Sequence, residues 1–268
     1  MPIKKKRISP RQKMINLMYL VLLAMLALNV SSDVLNGFSL VSDSLNKSTQ
    51  NATHVNNDIY ETFDEQMKNN PAKVKQWYDK ALYVRCISDS IFNLAEELKV
   101  AIVKESDGKE GDVNNIKNRE DLEASTQVML APGTGRGKEL RQAIINYRET
   151  IIKMVTDKEK REIISSNFST DVPTKARLMG KNWQEYMFES MPTAAAVTLL
   201  TKLQGDVRYA EGEILHILIS NVDVKDIRVN QLNAYVIPNS QTVVQGGKFS
   251  AQIIMAAVDT SRRPTIYI

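Results

Sequence analysis

Three side chains near the N-terminus place polar or ionisable groups at the start of an apolar stretch, where they could take part in chemistry. They are Arg11, Asn16 and Tyr19. A guanidinium inside a membrane bundle requires a carboxylate partner, typically on another chain. Structural roles are also open, and the residue types alone favour them. Arg11 could extend to lipid headgroups, Asn16 could pair two helices, and Tyr19 could belong to an interfacial aromatic belt.

A glycine-rich segment, residues 132–139, superficially resembles a phosphate-binding loop. Such a loop needs Gly five positions before its Gly-Lys pair and Ser or Thr directly after it. Pro132 and Glu139 occupy those two positions. No strand is predicted before the segment, so the sequence argues against nucleotide binding.

Other enzymatic constellations are missing from the sequence. His54 and His216 are the only histidines, and neither belongs to a cluster of Cys and carboxylate residues that would complete a metal site. Cys86 lies among apolar helical positions, which favours a core thiol over a nucleophile. Glu96 and Glu97 are adjacent and therefore point to different faces of a helix. We expect no enzymatic activity, no cofactor and no metal site.

The charge of the chain is unevenly distributed. Its 268 residues carry 35 Lys and Arg against 31 Asp and Glu, a net charge of +4. Six of the basic residues lie within residues 1–13, which contain no acidic residue. The remainder is therefore slightly acidic, with 29 basic residues against 31 acidic ones. This distribution is typical of a topology signal and argues against nucleic acid as a partner.

An uncharged apolar run, residues 14–30, follows the basic tail directly. We predict a transmembrane helix over 14–32, with residues 1–13 in the cytoplasm and everything after Asp33 on the opposite side of the membrane. A cleaved signal peptide is the first alternative, but no small-x-small cleavage site follows the run. A buried soluble helix is the second, and the absence of a polar face argues against it.

A helical stripe continues from this apolar run into the following segment. Its members are Leu20, Ala24, Ala27, Ser31, Val34, Phe38, Val41, Leu45, Ser48, Ala52, Val55 and Ile59. Alternating steps of three and four are typical of a coiled-coil seam, and small residues let transmembrane helices approach closely. We therefore predict a homodimer whose transmembrane face is Leu20, Ala24, Ala27 and Ser31. Alternatively, the stripe beyond Asp33 packs against its own domain.

Apolar periodicity predicts a bundle of four long antiparallel helices over residues 33–222. The first continues the stripe, and the second begins at Pro71 because proline suits a first helical turn. The third carries its apolar face from Leu140 and is predicted to run to about Ser165. The fourth is predicted to follow Ser190, which could act as its N-terminal cap.

Two further segments have different patterns. The polar stretch 104–123 contains two glycines and is predicted to be a mobile insertion. Residues 223–268 contain β-rich runs separated by turn residues, which predicts the first strands of a β-sandwich-like domain. Two or three strands rarely form a stable sheet alone, so we expect that domain to be truncated. The predicted fold class is mainly α.

Three segments resemble a known family. They are SPRQKMINLMYL (residues 9–20), AMLALN (residues 24–29) and DVLNGF (residues 33–38). Together they are similar to the N-terminus of the GldM/PorM proteins of the gliding-motility and type IX secretion machinery. The resemblance is tight to about residue 45 and architectural beyond it, with a basic tail, one span, a helical bundle and β domains in the same order.

This resemblance implies a subunit of an inner-membrane motor that uses the protonmotive force to power protein transport and gliding. Two copies of the single span would lie inside a ring of five multi-span GldL/PorL-type subunits. Torque would pass through the periplasm to outer-membrane-associated ring components. Family members reach those components through further β domains that the present sequence lacks.

The resemblance also implies roles for individual residues. The functionally implicated Arg and Tyr of the family match Arg11 and Tyr19, and Asn16 lies between them. A transmembrane Glu of the ring partner would supply the missing carboxylate. A passive secretion scaffold with the same topology is the main alternative. A ligand sensor is a weaker alternative, because a 13-residue cytoplasmic tail leaves no output domain.

Overall fold

The structure is a computed structural model that describes residues 9–28, 32–224, 231–238, 242, 246, 248 and 250–258. Its helices are α1 (Pro10–Leu28), α2 (Ser32–Asn69), α3 (Pro71–Asp107), α4 (Glu123–Leu130), α5 (Gly137–Met154), α6 (Lys158–Asn167), α7 (Thr174–Leu178), α8 (Trp183–Phe188) and α9 (Thr193–Val224). Its strands are β1 (Gln231–Pro238) and β2 (Ala251–Val258). The prediction of a mainly α chain is confirmed, with one small antiparallel sheet near the C-terminus.

The longest helices α2, α3 and α9 form the centre of the bundle, and α5 packs against α3. The helix directions differ from the predicted all-antiparallel order. Ser42 of α2 contacts Thr201 of α9, and Asn56 further along α2 contacts Arg208 further along α9, so these two helices run parallel. Parallel packing follows because the segment between α3 and α9 returns the chain to the end of the bundle where α2 begins. There Thr193 N donates to the carbonyl of Asp121.

One face of α2 is buried against α9 at positions that recur every seven residues. These positions are Leu35, Ser42, Thr49, Asn56 and Phe63. Of the eight stripe members that lie on α2, half are half-buried beside these positions, as at Leu45. The other half faces solvent: Val34 and Val41 are each 51% exposed and Val55 is 52% exposed. In the described residues, the bundle therefore covers only one side of the stripe on α2.

The segment predicted as a mobile insertion, residues 104–123, is instead tied to the bundle. Helix α3 continues to Asp107, whose carboxylate accepts hydrogen bonds from the backbone N–H groups of Lys117 at 2.7 Å and Asn118 at 2.8 Å. Arg119 Nη1 donates to Asn36 Oδ1 on α2 at 2.9 Å. Hydrogen bonds of this kind fix a polar loop without burying apolar side chains.

Two predicted helix boundaries were wrong. The helix predicted to run to about Ser165 ends at Met154, and Asp157 starts the separate helix α6 by accepting a hydrogen bond from Glu159 N at 2.9 Å. Ser190 does not cap α9, since its backbone has a φ of 50°. In this left-handed conformation it forms part of the turn before the helix, and α9 begins at Thr193.

Strands β1 and β2 pair antiparallel in a continuous register from Gln231 opposite Val258 to Pro238 opposite Ala251. Tyr235 and Val236 in β1 are exposed although they point to opposite faces, so both faces of the hairpin carry uncovered apolar side chains. At the other end of the described chain lies α1. Among the described residues, no helix combines the length and the apolar character needed to cross a membrane.

Candidate functional site

The three predicted site residues lie on α1 and are exposed to solvent. Asn16 Oδ1 accepts a hydrogen bond from Gln12 Nε2 at 3.2 Å, one turn earlier. Within the described part of the chain, no hydrogen bond or ion pair joins Arg11 to Asn16 or Tyr19. Positions eight residues apart on a helix are separated by about 12 Å along its axis, so Arg11 and Tyr19 lie two turns apart on α1.

The predicted dimer face lies partly within α1. Leu20 is exposed, and Ala24 and Ala27 belong to the same helix. Ser31, the fourth member, lies outside the described residues. The structure therefore places three of the four positions on one continuous helix without a second chain opposite them.

Helix α1 carries exposed apolar side chains around its whole circumference. They are Met14, Ile15, Leu17, Met18, Tyr19, Leu20, Val21, Leu22 and Leu23. Successive helical residues turn by about 100°, so this run covers every direction around the axis. A helix that is apolar on all sides is typically buried in a large core or in lipid. In the described residues the bundle does not provide that cover.

A second polar site lies inside the bundle, where the carboxylate of Glu211 is almost completely buried at 1% exposure. Three side chains donate hydrogen bonds to it: Tyr60 Oη at 2.8 Å, Arg208 Nη1 at 2.8 Å and Asn56 Nδ2 at 3.3 Å. Asn56 Nδ2 also approaches the carbonyl of Arg208 at 2.9 Å. The carboxylate thereby links α2 to α9 deep in the core.

Arg208 extends this network to α3. Its Nη2 pairs with Asp89 Oδ1 at 2.8 Å, and its guanidinium carbon lies 4.5 Å from the centre of the Phe92 ring. Burial opposes the charge, but Glu211 and Asp89 outweigh that effect and raise the pKa of Arg208 above its usual value. An ion pair on one side and an aromatic face on the other are typical partners of a buried guanidinium.

Two buried tyrosines complete the polar core, and both remain neutral. Burial, followed by the charge of Glu211, raises the pKa of Tyr60 far above its usual range. Burial also raises the pKa of Tyr147, whose Oη lies 2.9 Å from Ser88 Oγ and donates to the carbonyl of Val207 at 3.3 Å. These hydroxyls act as fixed hydrogen-bond donors, so the network orients helices and has no evident acid–base function.

Sequence reasoning missed this network, although a signal for it existed. Val207, Ala210 and Ile214 are apolar residues at helical spacing on α9, and Glu211 occupies a core position among them. A charged residue at a core position requires a partner, which Arg208 supplies three residues earlier. The residues contributed by α2 could not be found this way, because their pairing with α9 depends on the tertiary fold.

The glycine-rich segment forms a compact turn between α4 and α5. Gly133 has a φ of 83°, which favours glycine. A β-carbon on Gly137 would lie 2.7 Å from the carbonyl oxygen of Met129, so that position has no room for a larger residue. Arg136 is held by Glu97 at 3.0 Å and by Glu139 at 2.8 Å. Steric demands and surface ion pairs therefore account for these residues.

Comparison with known families decides the identity of the chain. The model of the GldM N-terminal domain matches residues 33–221, and that of the GldM second domain matches residues 223–268. The chain belongs to the GldM family. Among curated proteins, none shows significant similarity to it.

Membership of the GldM family points to a component of the gliding and type IX secretion machinery. The family consists of structural subunits of this membrane-associated machinery and is not a known family of enzymes. Association with other components of the machinery follows from membership. The first match corresponds to α2–α9, and the second includes β1 and β2.

Proposed function

We propose that this GldM-family chain is the membrane-anchored subunit of a motor driven by the protonmotive force, which powers type IX secretion and gliding. The observation that carries the proposal is the exposed apolar surface on every side of α1 over residues 14–23, with Arg11 just before it. In the sequence the apolar run continues to Val30 and follows a basic tail. An apolar segment of this length with positive charge on one side favours a single span with a cytoplasmic N-terminus.

The proposed topology divides the chain into four parts. Residues 1–13 form the cytoplasmic tail and residues 14–32 cross the inner membrane. Residues 33–222 form the periplasmic bundle, and residues 223–268 contribute the first strands of a β-sandwich-like domain. The hairpin of β1 and β2 supports the last assignment, because its exposed apolar side chains need further strands or a second sheet to cover them.

The transmembrane helices of two copies of the chain pair with each other. In the proposed homodimer, Leu20, Ala24, Ala27 and Ser31 form the contact between two copies, since small residues let helices approach within lipid. The exposed Val34 and Val41 on α2 extend the same stripe outside the membrane. The two helices form a shaft inside a pentameric ring of GldL/PorL-type subunits. Further β domains of such a protein would carry torque to outer-membrane-associated ring components.

Arg11, Asn16 and Tyr19 couple the shaft to the ring. The Arg11 guanidinium is permanently charged and would pair with an ionised Glu of the ring partner. Protonation of that Glu would release the contact, so each proton would make and break one ion pair. A membrane potential supplies roughly 2.3 kcal/mol per charge per 100 mV, which is sufficient to bias such a contact.

The test compares Arg11→Ala with Lys13→Ala, two losses of one positive charge at neighbouring exposed positions of α1. We expect Arg11→Ala to abolish gliding and secretion while the chain still inserts in the membrane and assembles with its partners. Lys13→Ala should retain both activities. Membrane fractionation and co-purification of the complex establish insertion and assembly in each variant.

A passive scaffold of the same topology makes the opposite prediction. Full gliding and secretion in Arg11→Ala would exclude a coupling role for this residue. Movements of the partner ring that persist after collapse of the protonmotive force would favour the scaffold. Purification of the complex and counting of each chain tests the proposed composition of two shaft subunits and five ring subunits.

A further inference from the structure

A cavity of about 240 Å³ lies between α9 and the layer formed by α5, α6 and α8. Its walls are mainly apolar, and two of its aromatic residues, Trp183 and Phe188, meet edge to face with ring centres 6.1 Å apart. Phe168 contributes a third ring and packs edge to face on Tyr147 at 5.1 Å. The cavity is separate from α1 and from the buried carboxylate network.

Partly exposed side chains make this cavity accessible from solvent. Met187 of α8 and Leu203 of α9 line it and are only half-buried. Small-molecule sites are typically about 300–1,000 Å³ in volume, so this cavity is smaller than a site for a drug-sized ligand. Its size and lining suit one large side chain. Aromatic anchors that fill such pockets contribute much of the binding energy at protein interfaces.

The charged groups lining the cavity are unbalanced. The side chain of Asp206 is only 18% exposed and pairs with Lys202 one turn earlier on α9. Asp171 contributes a second carboxylate, which accepts a hydrogen bond from Ser169 Oγ at 3.1 Å. Two carboxylates against one ammonium leave an excess negative charge beside an apolar cavity. A cationic group next to the bound side chain would be attracted to it.

We propose that this cavity is the anchor pocket for one aromatic side chain of a partner protein, carried on a segment with a basic residue next to that aromatic residue. The aromatic ring joins the cluster of Trp183, Phe188 and Phe168, where offset and edge-to-face contacts are available. The neighbouring cation pairs with Asp171 and Asp206. This inference does not depend on the motor role of α1, because the pocket lies in the bundle.

The test uses three peptide probes with the full chain in detergent solution. They are N-acetyl-Trp-Lys-amide, N-acetyl-Trp-Glu-amide and N-acetyl-Ala-Lys-amide, with binding followed by ligand-observed NMR titration. We expect saturable binding of the Trp-Lys peptide, at least threefold weaker binding of the Trp-Glu peptide, and no saturable binding of the Ala-Lys peptide. Asp206→Asn should reduce the difference between the two Trp peptides while both still bind.

A matched pair of variants locates the binding. Leu203→Trp places an indole in the cavity and should weaken binding of the Trp-Lys peptide at least tenfold. Leu94→Trp makes the same change at another half-buried position outside the cavity and should leave binding unchanged. Thermal unfolding by circular dichroism checks that both variants fold. If Leu203→Trp does not fold, the peptide titration of Asp206→Asn decides the test.

Three outcomes would overturn the proposal. The first is the absence of saturable binding of the Trp-Lys peptide to the unmodified chain. The second is equal affinity for the Trp-Lys and Trp-Glu peptides, since the excess carboxylate would then have no role in recognition. The third is saturable binding of free p-cresol without binding of either Trp peptide, which would identify the cavity as a site for small apolar molecules instead of a protein anchor.

Discussion

Gly212 of α9 lies so close to Asn56 of α2 that a β-carbon on the glycine would be 2.6 Å from Asn56 Oδ1. The Asn56 side chain cannot move away freely, because its Nδ2 approaches the carbonyl of Arg208 at 2.9 Å and the carboxylate of Glu211 at 3.3 Å. The absence of a side chain at one position on α9 thus permits a polar contact between two parallel helices.

The first prediction concerns this close contact. Gly212→Ala should lower the free energy of unfolding by about 1–3 kcal/mol, because the added methyl group must displace a hydrogen-bonded side chain or separate the helices. Gly37→Ala is the control, since a β-carbon at Gly37 has no heavy atom within 4 Å. That change should stabilise α2 by about 0.5–1 kcal/mol. Urea unfolding followed by circular dichroism measures both, and equal effects would contradict the prediction.

The second prediction compares two glutamates of α9. Glu211→Gln removes a buried charge from Arg208 and should lower the free energy of unfolding by about 3–5 kcal/mol. Glu213→Gln breaks the more exposed pair with Lys160 and should have a much smaller effect. The same urea titration ranks the two variants. A similar loss in both would show that the buried network is not a main source of stability.

The third prediction uses pH. Burial raises the pKa of Asp206 in the folded chain, although Lys202 opposes the shift. The protonated carboxyl therefore favours folding at low pH, and this contribution is lost as pH rises through the raised pKa. The free energy of unfolding of Asp206→Asn, measured relative to the unmodified chain, should increase from pH 3 to pH 7.

Glu96 provides a control, because its pKa is shifted in the opposite direction to that of Asp206. Burial alone would raise its pKa, but hydrogen bonds from Lys99 and Gln204 outweigh burial and lower the pKa below its usual value. Its contribution to stability is present above the unfolded pKa and is lost as pH falls through the lowered one. Glu96→Gln should therefore become less stable relative to the unmodified chain between pH 3 and pH 7. Parallel trends in the two variants would be inconsistent with these shifts.

The fourth prediction concerns the proposed homodimer. Cys86 is exposed on α3, so the prediction of a core thiol was wrong. In a Cys86→Ser background, which removes this thiol, Leu20→Cys should form a disulfide-linked dimer in membranes after mild oxidation. Leu22→Cys is the control, because two residues on a helix turn by about 200° and place this thiol on the opposite face. Gel electrophoresis without reductant separates the species. Cross-linking that is stronger at Leu22 would place the contact on another face.

Hydrophobic periodicity correctly predicted that α2 is a long helix with a buried face, but it did not predict which positions are most deeply buried. The buried positions include Ser42, Thr49 and Asn56, which a hydrophobic pattern does not select. They are buried because α9 offers small or polar groups opposite them, including Gly205 and Gly212. That complementarity links residues about 150 positions apart, so a local pattern cannot reveal it.

The prediction of site residues on α1 rests on a local signal. A basic tail, an uncharged run and isolated polar residues are contiguous within residues 1–30. The cavity beside Trp183 has no such signal, since α5, α6, α8 and α9 all contribute to it. Likewise, the ordered loop around Arg119 is held in part by a bond to Asn36, 83 residues earlier, which no local pattern indicates.

The parallel pairing of α2 and α9 also determines the order of assembly. Contacts such as Ser42 with Thr201 join residues 159 positions apart. The polar face of α2 cannot find its partner until nearly the whole bundle has been synthesised, and closing so long a loop slows folding. During translation this face of α2 therefore stays uncovered until α9 has been made. Mutations that weaken this pairing should expose newly made chains to proteolysis before they impair the finished protein.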